Sequence, residues 1–416
     1  MRRRNLAQAA AALARKLEEL ARVSDERGAT TRTFMSPAMR RANALVGRWM
    51  RSAGLSVAED GAGNLIGRME GSAAGSRTLL MGSHLDTVRD AGRFDGALGV
   101  LLPIAALEIV RSRGVVLPFA VEVLGFSEEE GVRFSSAYLG SKAFAGRLRK
   151  SDLRLRDAQG VSVGELLSRH KGGRLHPAGP AHSRGELLGY LEVHIEQGPV
   201  LEAGRLAAGV VPAIAGQTRA RVAFMGRAGH AGTTPMDFRR DALAGAAEFI
   251  LAVEALAKAR PPLVATVGRI TSHPGAANVI AGEAGLSLDL RHPVDSRRLS
   301  AFGSLLRAGR AIARRRGLGF AAEVTQDNGA VSCSRELTAL LEGSVRACQG
   351  RSLRVPSGAG HDAVILSALT PVAMLFVRCR KGLSHHPDEF VRTSDIRVAL
   401  EVVADFLARL ASRHPG

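Results

Sequence analysis

Residues 81–100 read MGSHLDTVRDAGRFDGALGV, and this stretch decides the fold and the chemistry together. A short apolar run, Leu79 to Met81, has the character of a buried strand, and His84 and Asp86 follow it as a His-x-Asp pair. An imidazole can ligate a metal, and a carboxylate beside it fixes its tautomer and raises its basicity. Asp95 follows in a glycine-bracketed turn, where its two oxygens could bridge two ions. Taken alone, the same residues also make an ordinary polar turn between a strand and a helix. The choice rests on what other strand ends contribute.

Working outward, Ser36-Pro37 marks a helix start, a capping hydroxyl followed by proline at the first helical position. That helix runs through Trp49 and stops at Gly54, and residues 55–68 read as two short strands around GAGN. Gly99 to Arg111 is a long apolar helix. Ala120 to Phe126 (AVEVLGF) is a second buried strand, ending at Ser127-Glu128-Glu129-Glu130. Tyr190 to His194 and Pro371 to Arg378 (PVAMLFVR) are two more, the last followed by GLSHHPDE. Buried strands alternating with helices predict an α/β catalytic domain with a mixed sheet flanked by helices. Ligands gather at the carboxyl ends of strands in such sheets.

From about Val211 the pattern changes. RARVAFMG, LVATVGRI and LSLDLRHP alternate apolar and polar residues, with helices expected at 241–257 and 300–314. This is a small α+β domain inserted into the first, giving a division into 1–211, 212–326 and 327–416. The first pattern returns near Thr325, with helices expected at 335–348 and 394–411. The polar stretch 151–188 is read as helix and loop.

Composition narrows the function classes. A chain of 416 residues exceeds one ordinary core. A 46% apolar and 23% charged content is that of a globular protein. No apolar run reaches the length of a membrane span. The amino-terminal MRRRNLAQAAAALARKLEEL meets Glu18 and Glu19 too soon for a signal peptide and reads as an amphipathic helix, so a cytoplasmic location is expected. The net charge of +18 is almost all arginine, spread along the chain, and aromatics are 4%, which speaks against nucleic-acid binding. Cys333, Cys348 and Cys379 lack CxxC spacing and read as buried thiols.

Three adjacent carboxylates at a strand end are costly unless a cation offsets them. Singly, the Glu triple could be a solvated turn, His194 a structural histidine, and His385-His386 a surface pair. Together, four strand ends supply His84, Asp95, a Glu from 128–130, His194 and one of His385 and His386. Histidine and carboxylate donors without cysteine suit zinc, manganese or a similar divalent ion. With Asp95 as bridge they could make a two-metal site that lowers the pKa of a shared water. The carboxylate one residue before the ligand Glu would take that water's proton.

The motifs GSHLDTVRDAGRFDG, EEEGVRF, HIEQGPVLE, AGQTRARVAFMGRAGHAGTTPM, GAANVI, LDLRH, SGAGHDA and GLSHHPDE run in order from about residue 80 to 390. In these the chain resembles the amidase (hydantoinase/carbamoylase) branch of the M20 metallopeptidase family. The resemblance implies a catalytic domain with an inserted lid, dimeric through the lid, and two divalent ions, zinc or manganese. His84, Asp95 and His194 would hold one ion, and Asp95, Glu130 and His385 the other. Glu129 would be the general base and Asp86 the carboxylate behind His84. Gln217, Asn278 and Arg291 would grip the substrate, and His230 would stabilise an oxyanion in the partner subunit's site. His361 is a further candidate for substrate contact. The implied reaction is hydrolysis of a ureido (N-carbamoyl) carboxylate, with allantoate ahead of N-carbamoyl-L-amino acids and β-ureidopropionate. A dipeptidase of the same family and a non-catalytic binding protein are the rival readings.

Overall fold

The computed structural model describes residues 3–73, 75–170 and 181–414, so the middle of the polar stretch read as helix and loop, 171–180, lies outside the described residues. Helix Pro37–Ser52 begins where its capping residue predicts, with Ser36 Oγ accepting the Met39 N–H at 3.1 Å. The strands Thr78–His84 and Ala120–Phe126 are buried at every residue, which is why each reads as a mainly apolar run.

Two compact units result. One comprises the chain up to Pro212, Cys333–Val355 and Gly360 onward; the other comprises Ala213–Ser332 and Pro356–Ala359. The first unit holds a seven-stranded mixed sheet in the spatial order Ser56–Glu59, Leu65–Met69, Ala120–Phe126, Thr78–His84, Leu187–Ile195, Val372–Val377, Ala208–Val211. The four strands from Ala120–Phe126 to Val372–Val377 run parallel, so their carboxyl ends share one edge of the sheet. Helix Ala97–Ser112 packs on three of these strands and against helices Arg3–Ala21 and Thr393–Arg413, and helix Arg335–Gln349 packs against Thr393–Arg413. Their buried aliphatic side chains form one continuous core.

The second unit is a four-stranded antiparallel sheet in the order Val264–His273, Glu283–His292, Gly216–Met225, Gly319–Asn328. Helices Ala242–Ala259 and Asp295–Arg316 pack on it over a core that includes Phe224, Phe249 and Leu290. Two features depart from the sequence reading. Strand Gly319–Asn328 lies where a return of the first pattern was expected, and the unit extends to Ser332 because Val331–Ser332 pairs with Ala213–Ile214. The cause is exposure: most of that edge strand faces solvent, so no alternation marks it. Edge strand Ala208–Val211 of the first sheet was likewise not singled out by sequence.

No helix among the described residues is long and apolar enough to cross a membrane. The cysteines are free.

Leu102 is fully buried in the first core, whereas Leu251 is 65% exposed on the second unit. Leu102→Ala should cost about 2–5 kcal/mol, and Leu251→Ala should stay within about 0.5 kcal/mol. Urea unfolding of both variants checks this. An unchanged midpoint for Leu102→Ala would show that the core lies elsewhere.

Candidate metal centre

Four parallel strands deliver their carboxyl ends to one place, and the side chains just at or beyond those ends converge. His84 ends the strand Thr78–His84 and His194 is the penultimate residue of Leu187–Ile195. Glu129 and Glu130 follow Ala120–Phe126, and His385 lies in the loop after Val372–Val377. Three groups of donor atoms lie within 4.8 Å of one another: His84, Asp95 and His194; His84, Glu129 and Glu130; and Asp95, Glu130 and His385. Asp95 belongs to the first and the third. Its Oδ1 is 3.3 Å from His84 Nε2 and 3.1 Å from His194 Nε2. Its Oδ2 is 3.4 Å from His385 Nε2, which is also 3.4 Å from Glu130 Oε1.

The imidazoles are oriented from behind. His84 Nδ1 lies 3.0 Å from the Asp86 carbonyl oxygen, and His194 Nδ1 lies 2.9 Å from the Ile195 carbonyl oxygen. Nδ1–H donation to these carbonyls leaves Nε2 as the nitrogen that could ligate a metal. The expected carboxylate behind His84 takes a different geometry. Asp86 Oδ1 is 3.5 Å from His84 Nδ1, so the Asp86 main-chain oxygen is the nearer acceptor. The Asp86 carboxylate instead accepts the backbone N–H groups of Glu129, at 3.0 and 3.1 Å, and of Glu130, at 3.1 Å. It therefore shapes the turn that presents both glutamates. Gly96 is required for a related reason. Its φ of 64° is left-handed, and a Cβ there would come within 2.4 Å of His84 Nδ1.

The electrostatics suit cations. Burial pushes the Glu129 carboxyl well above the usual carboxylate range, with Glu130, Asp362 and Asp86 adding to the effect against the pull of His84. Burial would also raise Asp95, but His194, His385 and His84 outweigh it and hold Asp95 well below that range. Burial lowers His84, yet the Asp86 and Asp95 carboxylates carry it well above the ordinary imidazole value. Asp95 raises His194 in the same way against burial. Hydrogen bonding to Asp95 and Glu130 pushes His385 up to about 10. Among the described residues, Asp95 and Glu130 form their ion pairs with histidines rather than with lysine or arginine. The donors are nitrogen and oxygen alone, two imidazoles in the first group and one in each of the other two, which fits zinc or manganese.

Glu128, first of the acidic run, is fully buried and belongs to none of the donor groups. His386 points into its own turn, its Nδ1 accepting the Asp388 N–H at 3.1 Å. His361 is buried with its ring 4.5 Å from that of His194. Burial, with the positive His194 adding, pushes His361 well below the ordinary imidazole value, so it is neutral at pH 7.

The four candidates in the second unit fall into two pairs. Gln217 and Arg291 are register partners on adjacent strands. Both bind Asp289, which accepts Gln217 Nε2 at 2.8 Å and Arg291 Nε and Nη2 at 2.8 and 3.0 Å. Arg291 Nη1 donates to the Gly358 carbonyl at 2.7 Å. His230 sits on a two-residue strand opposite Val279, and the Ala231 N–H donates to the Asn278 carbonyl at 2.9 Å. Both His230 and Asn278 are exposed.

Sequence reasoning missed Asp289, and it missed the residues that surround Asp95 and His194. Gln197 Nε2 and Ser384 Oγ donate to Asp95 Oδ2 at 2.7 and 2.6 Å. Buried Glu192 accepts Ser83 Oγ at 2.9 Å and the Ala363 N–H at 2.8 Å, tying two strands to helix Asp362–Leu366. Gln197 and Ser384 lie inside motifs already singled out, but an amide or hydroxyl in a turn carries no mark of a distant partner.

A model of the peptidase family M20/M25/M40 matches residues 80–409. Allantoate deiminase 2 of Glycine max is 40% identical over 427 residues, covering 95% of this chain and 88% of its own length. N-carbamoyl-L-amino-acid amidohydrolase of Pseudomonas sp. (strain NS671) is 37% identical over 399 residues, covering 95% of this chain and 96% of its own length. Among solved structures, an amidase of the hydantoinase/carbamoylase family from Burkholderia multivorans matches with a TM-score of 0.90 at 32% identity, over 96% of this chain and 97% of that one.

Contacts with carboxylates hold His84, His194 and His385 above the ordinary imidazole value in the metal-free protein. Ligation needs the imidazoles neutral, so metal uptake should release protons near neutral pH, and apparent affinity should rise with pH up to about 10, where His385 loses its proton. Calorimetric zinc titrations in buffers of different ionisation enthalpy measure this directly. Binding with no proton release would contradict the ligand assignment. Gly96→Ala, by pressing on His84, should weaken metal binding in the same assay.

Proposed function

The chain belongs to peptidase family M20/M25/M40, and we propose that it is a two-metal amidohydrolase cleaving the C–N bond of a ureido carboxylate, allantoate foremost. The observation that carries this reading is one carboxylate, Asp95, common to two donor groups, with Glu129 beside His84 and Glu130 in another. His84, Asp95 and His194 would hold one ion, and Asp95, Glu130 and His385 the other. The ions, zinc or manganese, would supply an acidified water and a Lewis acid for the substrate carbonyl.

The remaining work falls to side chains. Glu129 takes a proton from the attacking water and passes it to the leaving nitrogen, a role suited to a carboxyl whose pKa burial has raised. Asp86 steadies that carboxyl by holding its backbone. Ammonia leaves, and the remaining carbamate breaks down to carbon dioxide and the amine. Arg291 has the planar fork that binds both oxygens of a carboxylate. Gln217 and Asn278 offer amide donors and acceptors for the ureido group. His361, held neutral, offers one more polar contact. The exposed His230 stabilises the oxyanion of the tetrahedral intermediate in the partner's site of a homodimer joined through the second unit.

Allantoate stands first because allantoate deiminase 2 is 40% identical to this chain. N-carbamoyl-L-amino acids are the second reading, supported by a 37% identical relative named for them. Both substrates carry a carboxylate next to a ureido nitrogen, so the same grip would serve. A dipeptidase would release no ammonia from either.

Ammonia release from allantoate, with zinc or manganese added back, should exceed that from a panel of N-carbamoyl-L-amino acids. Equal or greater release from the panel would move the assignment to those substrates, and no release from any would end it. Glu129→Ala should lower kcat by about 10²–10⁴-fold while metal content, measured by atomic emission, stays unchanged. Arg291→Ala should raise KM by about 10–100-fold, the loss of a charged hydrogen-bonded pair.

A further inference from the structure

Asp95 and His385 come from distant parts of the chain, yet both must be held to one ligand set. Packing cannot hold His385: its side chain is 48% exposed, against 2% for His84 and for His194. Its backbone is left-handed, with φ of 55°, as is that of Gln197, also at 55°. Non-glycine residues keep this conformation only where their surroundings impose it.

The surroundings centre on Glu389, which is 1% exposed. Glu389 Oε1 accepts the backbone N–H groups of Phe94 and Asp95 at 2.8 and 3.1 Å. Its Oε2 is 3.1 Å from Ser384 Oγ, on the residue before His385. Glu389 lies in the same loop as His385, so its carboxylate ties that loop to the main chain of Asp95. The fit is close, since a Cβ on Gly92 would come within 2.3 Å of the Glu389 carboxyl. Ser384 Oγ, in turn, is 2.6 Å from Asp95 Oδ2, and Gln197 Nε2 reaches both that oxygen, at 2.7 Å, and Ser384 Oγ, at 3.2 Å. The hydroxyl's single proton goes to Asp95, its nearer acceptor. Every one of these side-chain contacts to Asp95 falls on Oδ2, the oxygen facing His385; Oδ1, facing His84 and His194, receives none of them.

We infer that Gln197, Ser384 and Glu389 are positioning residues for one metal of the pair. They fix Asp95 Oδ2 and His385 for the Asp95–Glu130–His385 ion and leave the His84–Asp95–His194 ion to buried histidines. The inference rests on the two-metal reading above. It assigns these residues no contact with substrate and no proton transfer.

The test is competition of the full-length protein with a zinc chelator, resolving two binding steps. His385→Ala identifies the step that belongs to the Asp95–Glu130–His385 ion. Ser384→Ala removes one donor without opening a large cavity and should weaken that step by about 10–100-fold, the usual cost of losing a partner behind a ligand. The other step should stay within about two-fold. Glu389→Gln keeps an acceptor for Phe94 and Asp95 and should bind near wild type, whereas Glu389→Ala should behave like Ser384→Ala or worse. Unchanged binding in Ser384→Ala and Glu389→Ala would overturn the inference. Equal weakening of both steps would also overturn it, by showing a general role in folding. A wild-type protein that binds a single zinc ion would instead overturn the two-metal reading itself, and this proposal with it.

Discussion

The carboxylate of Asp95 is 4% exposed, and imidazole nitrogens of three histidines lie within 3.4 Å of its oxygens. Buried charge of this kind is stable only when opposite charge and hydrogen bonds meet it. Glu130 adds a second carboxylate, and among the described residues the basic groups paired with Asp95 and Glu130 are histidines. The positive charge must then come from protons on the imidazoles or from metal ions on the same nitrogens. This competition sets the character of the site. It also accounts for the parallel strands. Four neighbouring carboxyl ends on one sheet edge bring His84, the Glu129–Glu130 turn, His194 and the loop of His385 together from across the sequence.

Much of this was readable from residues alone, for a physical reason. The four parallel strands are almost wholly buried, so they stand out as mainly apolar runs, and a His or Glu at or just past the end of such a run is conspicuous. Strand Gly319–Asn328 was invisible because it is exposed and has no apolar period. Glu389, Gln197, Ser384 and Asp289 were invisible for another reason. Each acts through hydrogen bonds to residues distant in sequence, as Glu389 does to Phe94 and Asp95, and no local pattern encodes such a partner. Asp86 shows a finer limit. The His-x-Asp spacing implied a carboxylate on His84, but at that distance along the chain the main-chain oxygen comes nearer, and the side chain is released to cap the glutamate turn.

The second unit shows how the arginine excess is put to use at one point. Asp289 accepts from Gln217, Arg219 and Arg291, and its carboxyl is held below the usual range by Arg291 and Arg219 despite partial burial. A guanidinium braced along one edge by a carboxylate loses little further freedom when it meets a second anion, which is how an oriented arginine gains over a mobile lysine. The first unit thus gathers buried carboxylates and imidazoles at one sheet edge, and the second holds a guanidinium oriented by Asp289.

The central claim is that Asp95 bridges two ions. Anomalous diffraction from crystals grown with zinc or manganese tests it most directly. The account predicts two peaks about 3.5–4 Å apart, one beside His84 and His194 and the other beside Glu130 and His385, with the Asp95 carboxylate between them. A single peak, or two peaks that do not share Asp95, would contradict it.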